Sequence, residues 1–432
     1  MFAFHRQTSI TLGRGTQMNR REVLRAIPLA AASAGLLSWT DLVTLQAEDL
    51  RKRGKACILL WMGGGPSQFE TWSPKPGTST GGETKAIETS VAGIQISENM
   101  PNVAKQMQEI CLIRSMNSRE GAHPRATYLM HTGYLPTSSV KYPTLGSLVS
   151  KEIGDATSEL PSFVRIGLGR GLDGGAGLLG VDFDPFSLQA AGRLPDNTAL
   201  TTSETRFDRR LRLLSQIEGD YAQQGGRQVV SDHQKVYAQT AKMIKSPEMK
   251  TFELSGESAK TREAYGSSNF GKGCLLARRL IESGVTFVEV THGNWDTHDD
   301  NFARSKELCG GMDQPYAALL ADLKARGLLD STLVVWMGEF GRTPRVNPRA
   351  GRDHYPKAFS VALSGCGVKG GQVIGATNKT GEEVTDKPVG VSDLLRTICH
   401  RLEIDADKEN MSSIGRPIKL VDGGEVIQEV AG

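Results

Sequence analysis

The chain has 432 residues, with 51 Lys and Arg against 48 Asp and Glu, a formal net charge of +3 with His neutral. Apolar residues at 38% and charged residues at 23% suit a globular chain that buries a core, and exclude a wholly disordered one. So small a surplus of charge is not polybasic, and it excludes nucleic acid as an electrostatically held partner.

The surplus sits at one end. Residues 1–47 carry Arg6, Arg14, Arg20, Arg21 and Arg25 against Glu22 and Asp41, so the rest of the chain is formally neutral. Asn19-Arg20-Arg21-Glu22-Val23-Leu24-Arg25 leads into an Ala- and Leu-rich stretch, Ala26 to Trp39. A basic segment before a short apolar one is the pattern of an export signal, and adjacent arginines are the mark of the twin-arginine type. The stretch is shorter than the roughly 20 residues of a bilayer helix, and Pro28 and Gly35 interrupt it. Residues 1–47 are therefore expected to be a signal removed near Ala47, delivering the protein to the periplasm or cell surface; an uncleaved anchor is the alternative. Met18 stands just before the motif, so residues 1–17 can stem from a start codon called too early. No later segment is apolar enough to span a membrane.

From Ala56 onward, strand-like apolar runs alternate with helical patterns. The runs are Ala56–Met62, Ile110–Ser115, Ser162–Ile166, Val285–Val290, Thr332–Met337 and Phe359–Leu363. The helical patterns are Asn102–Glu109, Gly273–Ser283 (ended by Gly284), Asp313–Arg326 and Val391–Leu402. Strands that are apolar without alternation need cover on both faces. Residues 48–432 are thus expected to form one three-layer α/β/α domain around a mostly parallel mixed sheet. A polar stretch at about 184–260, with helical patterns near Glu204–Tyr221 and Val229–Ile244, is expected to be a helical insertion. Six cysteines show no CxxC pair, and Cys57 and Cys111 lie in apolar runs as small buried hydrophobes.

Ligands of open α/β sheets bind beyond the carboxyl ends of the strands. That rule selects the loops Gly63–Glu70, Thr291–Asp300 and Gly338–Pro344, with a fourth group at Gly351–Pro356. They carry His292, Asp296, His298, Glu339, Asp353 and His354. Imidazole and carboxylate donors together suit a divalent metal, zinc first, with calcium or magnesium as alternatives. Asp296 and His298, two apart, can point to one side of an extended loop. The bland alternative is a set of polar turns with hydrogen-bonded surface histidines. His131, His233 and His400 fall on helical patterns and receive no role. Gly169–Gly174 has the GxGxxG form, but Gly175-Ala176-Gly177 follows where a helix must open, so it reads as a loop.

The ordered motifs GGGPSQFETWSPKP (63–76), SMNSREGAHPRATYLMHTGY (115–134), LLARRLIESGVTFVEV (275–290), NWDTH (294–298), GEFGRTP (338–344) and GRDHYP (351–356) resemble domain-of-unknown-function family 1501. That family is placed in the alkaline-phosphatase-like superfamily, with sulfatases and phosphomutases. VSDLLRTIC (391–399) resembles the superfamily's late Asp-containing helix. The resemblance covers nearly all of residues 48–432. It implies a sheet of the alkaline-phosphatase-like type with metals at the strand ends. It also implies hydrolysis of phosphate or sulfate esters, small molecules or glycans, by a nucleophile at a helix N-terminus. Arg125 or Arg342 would supply charge to the anionic ester.

Counting back from Thr132-Gly133 to where sulfatases carry a modified Cys or Ser lands on His123, just before Pro124. The resemblance makes His123 a ligand, an acid/base or the nucleophile, with a helix cap lacking chemistry as the alternative. Ser118 and Ser67 are the fallback hydroxyls. Two departures stand out: Gly63-Gly64-Gly65 replaces the expected Asp after the first strand, and Glu339-Phe340 replaces an expected Asp-His pair. They leave a non-catalytic binding or surface protein as the alternative function. A carbohydrate-binding surface built on exposed Trp72 and Trp295 is a third reading.

Overall fold

Every residue of Ala56–Met62 and of Thr332–Met337 is buried, as an uninterrupted apolar strand requires. The computed structural model describes residues 54–167, 174–412 and 414–431, together with a separate two-stranded hairpin, Ile10–Leu12 with Thr16–Met18. The chain divides into two units, Met1–Lys52 and Arg53–Gly432. The twin-arginine motif, the apolar stretch after it, the expected cleavage point and Gly169–Asp173 lie outside the described residues.

The second unit is built on an eight-stranded sheet. Its strands are β1 (Ala56–Met62), β2 (Ile110–Met116), β3 (Phe163–Ile166), β4 (Phe186–Leu188), β5 (Phe287–His292), β6 (Thr332–Met337), β7 (Phe359–Ser364) and β8 (Gln372–Ile374). Their order is β8-β2-β7-β6-β1-β5-β3-β4. β7 runs antiparallel to both its neighbours, and the other pairings are parallel. The fold is therefore α/β with a mostly parallel mixed sheet, as expected. Register matters more for function: Trp61 lies opposite Met337, and Met62 opposite His292. β6, β1 and β5 thus finish side by side, and the loops that follow them share one edge.

Among the described residues, the helices of nine or more residues are, in chain order, α1 (His123–Thr132), α2 (Leu145–Ile153), α3 (Glu204–Tyr221), α4 (Arg227–Lys245), α5 (Asn269–Glu282), α6 (Asn301–Ala325) and α7 (Val391–Arg401). Cys57, Leu59 and Trp61 of β1 join a core with Met130 of α1, Leu148 and Val149 of α2, and Leu394, Leu395 and Ile398 of α7. On the opposite face Trp336 of β6 meets Trp72, and Trp72 meets Tyr316 of α6 edge-on. α5 packs beside α6, starts at the Ser268 cap and ends before Gly284, whose φ of 92° only glycine adopts freely. All six cysteines are free and buried, and burial pushes the Cys111 thiol up to about 12.

Several expectations need correction. The pattern at Asn102–Glu109 becomes the short helix Pro101–Ala104 and a separate 3-10 turn, Met107–Glu109. α6 begins twelve residues before the expected Asp313 and runs through Gly310, Gly311 and Pro315. Local breakers lose there to burial, since Cys309, Met312, Pro315 and Tyr316 all face the core. The edge strands β4 and β8 are too short for a pattern to show, and β4 lies inside the stretch expected to be helical. α3 and α4 fall where helices were expected, with no buried residue on α3 and only Val230, Ala241 and Met243 buried on α4.

Candidate metal centre

The loop after β1 sets the site. Gly64 has φ +115°, and a Cβ there would stand 2.6 Å from the Asp296 amide nitrogen and 2.8 Å from that of Trp295. The absent side chain lets the β5 loop close onto the β1 loop, with the Trp295 N–H donating to Gly63 O at 3.2 Å. The Gly64 N–H donates to both oxygens of Glu339, at 2.9 and 3.2 Å. The β6 loop carries Glu339, and Gly341–Arg342 pairs antiparallel with His354–Tyr355. One short ribbon therefore brings His354 back to the edge.

Three histidines converge on Asp296. His123 is the first residue of α1, with Ala122 as its cap, so it is not a capping residue. Its Nδ1 donates to Glu339 Oε1 at 2.6 Å. His298 Nδ1 donates to Asp353 Oδ1 at 2.8 Å, and His354 Nδ1 to the Gly121 carbonyl at 2.8 Å. With each Nδ1 committed as a donor, the neutral ring presents its Nε2 lone pair. Those Nε2 atoms lie 3.4 Å (His123), 3.1 Å (His298) and 3.4 Å (His354) from Asp296 Oδ1. His298 Nε2 and His354 Nε2 are 2.9 Å apart. Ligand atoms of His123, Asp296 and His354 all fall within 4.8 Å of one another.

The electrostatics follow from this crowding. Burial works against charge on both partners, but the bonds from His123, His354 and Arg342 hold the Asp296 carboxyl well below the usual range. Burial alone would lower His123, whereas the Asp296 and Glu339 carboxylates beside it raise it to about 9. Phe340, buried, sets its ring 4.8 Å from that of His123 and 4.6 Å from that of His354. The Asp296 side chain stays 45% exposed, so the cluster is walled on one side and open on the other.

The other expected residues take different places. Glu339 is buried and orients His123. Asp353 is half-exposed, and its Oδ1 orients His298. Arg342 cannot meet an ester: it is fully buried and donates to the carbonyls of Gly64, Gly65, Trp295 and Arg352 and to Asp296. Ser67 is also buried, and its Oγ accepts the Phe69 N–H, which withdraws it as a nucleophile. His292 stands outside the cluster, accepting the Trp295 indole N–H at 3.0 Å, and burial lowers it to about 4. Trp72 and Trp295 are fully buried, which removes the carbohydrate-platform reading. Arg125 remains half-exposed in the first turn of α1, paired with Glu120 at 2.6 Å. Ser118 Oγ accepts the Glu120 N–H in the turn before α1.

Two contributors escaped sequence reasoning. The Gly121 carbonyl holds His354, which no side-chain pattern encodes. Asn347 donates to His298 O at 3.0 Å and to Asp353 Oδ1 at 3.2 Å, and accepts from the Arg349 and Gly351 amides. The Asn-Pro pair at 347–348 was the available signal, since such pairs start turns.

Comparison with known proteins matches a family model to residues 54–431. The chain belongs to the family described as Protein of unknown function (DUF1501). No curated protein matches it. The structure of Ps i-CgsB is similar at 13% identity and a TM-score of 0.40, over 81% of this chain and 72% of that one. PsFucS1 sulfatase from Pseudoalteromonas sp. is 15% identical, with a TM-score of 0.39 over 84% and 71% of the two chains. A protein in the alkaline phosphatase superfamily from Vibrio parahaemolyticus is 12% identical, with a TM-score of 0.39 over 82% and 67%. Likeness this distant decides nothing about chemistry, which the residues themselves have to carry.

Proposed function

We propose that this chain is an exported, metal-dependent hydrolase of phosphate or sulfate esters, of the alkaline-phosphatase-like kind. The observation that carries the reading is the convergence of three imidazole Nε2 atoms on Asp296 at the edge shared by β1, β5 and β6. The donor set suits a divalent cation. Chemically, His123 Nε2 is buried with only the Asp296 oxygen 3.4 Å away as a neighbouring acceptor and makes no well-formed hydrogen bond, the kind of donor atom that a bound ion satisfies.

His123, His354, His298 and Asp296 would hold the ion. When bound, a dication supplies Lewis-acid stabilisation of charge on the ester oxygens. Glu339, Asp353 and the Gly121 carbonyl keep the three rings in the tautomer that offers Nε2. Arg342 fixes Asp296 from behind. Arg125, half-exposed two residues from His123 and paired with Glu120, would be the guanidinium that meets an anionic ester.

Export rests on the arginine pair and the short apolar stretch of residues 19–39, with 1–47 as signal and 48–432 as one domain carrying a helical insertion. Among the described residues, no helix is long and apolar enough to cross a membrane. A non-catalytic binding protein is the second reading, favoured by Phe340, whose ring packs against both His123 and His354.

The test is to purify the chain without chelator, then assay aryl phosphate and aryl sulfate hydrolysis as isolated, metal-stripped and reloaded. Activity that disappears on stripping and returns on reloading is expected. A protein that binds metal and cleaves neither ester sinks the hydrolase reading and leaves the binding one.

A further inference from the structure

The Asp296 carboxylate faces two kinds of cation site at once. On one side stand the three Nε2 atoms. On the other, Arg342 Nη2 donates to the same Oδ1 at 2.7 Å. That guanidinium is fully buried and is locked by four backbone carbonyls drawn from three loops. An arginine keeps its charge under all ordinary conditions. A permanent positive charge is therefore built into the floor of the site.

The neighbouring carboxylates are already committed. Glu339 Oε1 takes the His123 Nδ1–H and the Gly64 N–H, and Oε2 takes the Gly64 N–H again. Asp353 Oδ1 takes the His298 Nδ1–H and an Asn347 N–H. These groups orient ligands, with Glu339 Oε1 and Asp353 Oδ1 engaged in doing so. A second dication near Asp296 would find few free donors and would be repelled by Arg342.

We infer that the cluster is a mononuclear site, in which His123, His298 and His354 through Nε2 and Asp296 through a carboxylate oxygen take one nitrogen-preferring dication, with buried Arg342 as the fixed second cation. This rests on the metal-dependent reading above and sharpens it. Three imidazoles and one carboxylate are a zinc-type set, whereas calcium and magnesium prefer all-oxygen surroundings. The inference makes His298 a ligand beside His123, Asp296 and His354, on its distances of 3.1 Å to Asp296 Oδ1 and 2.9 Å to His354 Nε2.

The test uses the full chain, stripped of metal and titrated with zinc and with cobalt(II) against a chromophoric chelator. One equivalent per chain is expected, with the visible bands of four- or five-coordinate cobalt, and no displacement by a hundred-fold excess of calcium or magnesium. His298→Ala and His354→Ala should each weaken zinc at least tenfold while leaving far-ultraviolet circular dichroism unchanged. Two equivalents of similar affinity overturn the inference. So does an undiminished affinity in the His298→Ala protein, or displacement by calcium. Ester hydrolysis is read in parallel: one tight equivalent without turnover keeps this inference and removes the hydrolase reading. Two equivalents with turnover do the reverse.

Discussion

Replacing Glu339 by Gln probes the least visible part of the site. Glu339 is only 2% exposed and joins two elements, taking the Gly64 N–H at 2.9 Å and the His123 Nδ1–H at 2.6 Å. Gln keeps the shape and one carbonyl acceptor but removes the charge. A hydrogen bond to a charged group contributes about 1.5–3 kcal/mol and a neutral one about 0.5–1.5 kcal/mol. The difference, about 1–1.5 kcal/mol, falls on the bond that aims His123. At about 1.4 kcal/mol per decade this is roughly a tenfold loss of metal affinity, the lower end of what an outer partner of a ligating histidine is worth. Competitive zinc titration of the wild-type and Glu339→Gln chains measures it, with thermal unfolding of both metal-free proteins as a control for folding. An unchanged affinity in a folded variant would refute the claim that Glu339 positions His123. A loss beyond a thousandfold would refute it from the other side, by making Glu339 a ligand.

Three other outcomes follow from the geometry. Gly64→Ala puts a Cβ 2.6 Å from the Asp296 nitrogen at a φ of +115°, so it should cost about 1–3 kcal/mol or more and weaken metal binding; a wild-type melting temperature and affinity would contradict the loop contact. Glu289 is buried on β5, 3.3 Å from Arg165 and 3.6 Å from His131. Glu289→Ala removes the shared carboxylate and should destabilise the fold by about 3–5 kcal/mol, read by urea unfolding; a change below about 1 kcal/mol would show that the charge is compensated elsewhere. The third outcome concerns pH. His292 is lowered to about 4 by burial, against about 6.5 when unfolded. Between those values the unfolded chain binds more protons, so stability rises with pH through that window and is lost as pH falls from about 6.5 to 4. The loss is at most about 3 kcal/mol. His292→Gln should flatten that part of the stability curve, and an unaltered slope would exclude His292 as its source.

Much of the sheet was legible because the chain writes buried parallel strands plainly. Ala56–Met62 and Thr332–Met337 carry no polar alternation, and each became a strand with those bounds. The strand-end rule selected loops that the fold brings together, since β6, β1 and β5 are adjacent and finish in register. Short edges such as β4 and β8 were illegible, because three residues carry no period. α6 was half-read, because Gly310, Gly311 and Pro315 look like stops until the core behind them is known.

Residue types and their order along the chain were enough to set the layered α/β architecture and the edge where chemistry would gather. They could not say which donors meet. His292 and His298 lie in the same loop, yet one turns to Trp295 and the other to Asp296. Arg342 reads as a charge for the anionic ester and is in fact fully buried, because five acceptors from three segments surround it. Hydropathy is a property of one residue and its near neighbours, so a local pattern can carry it. The satisfaction of a buried charge and the aiming of three imidazoles at one oxygen depend on atoms up to 278 positions apart, and only the folded chain brings those together.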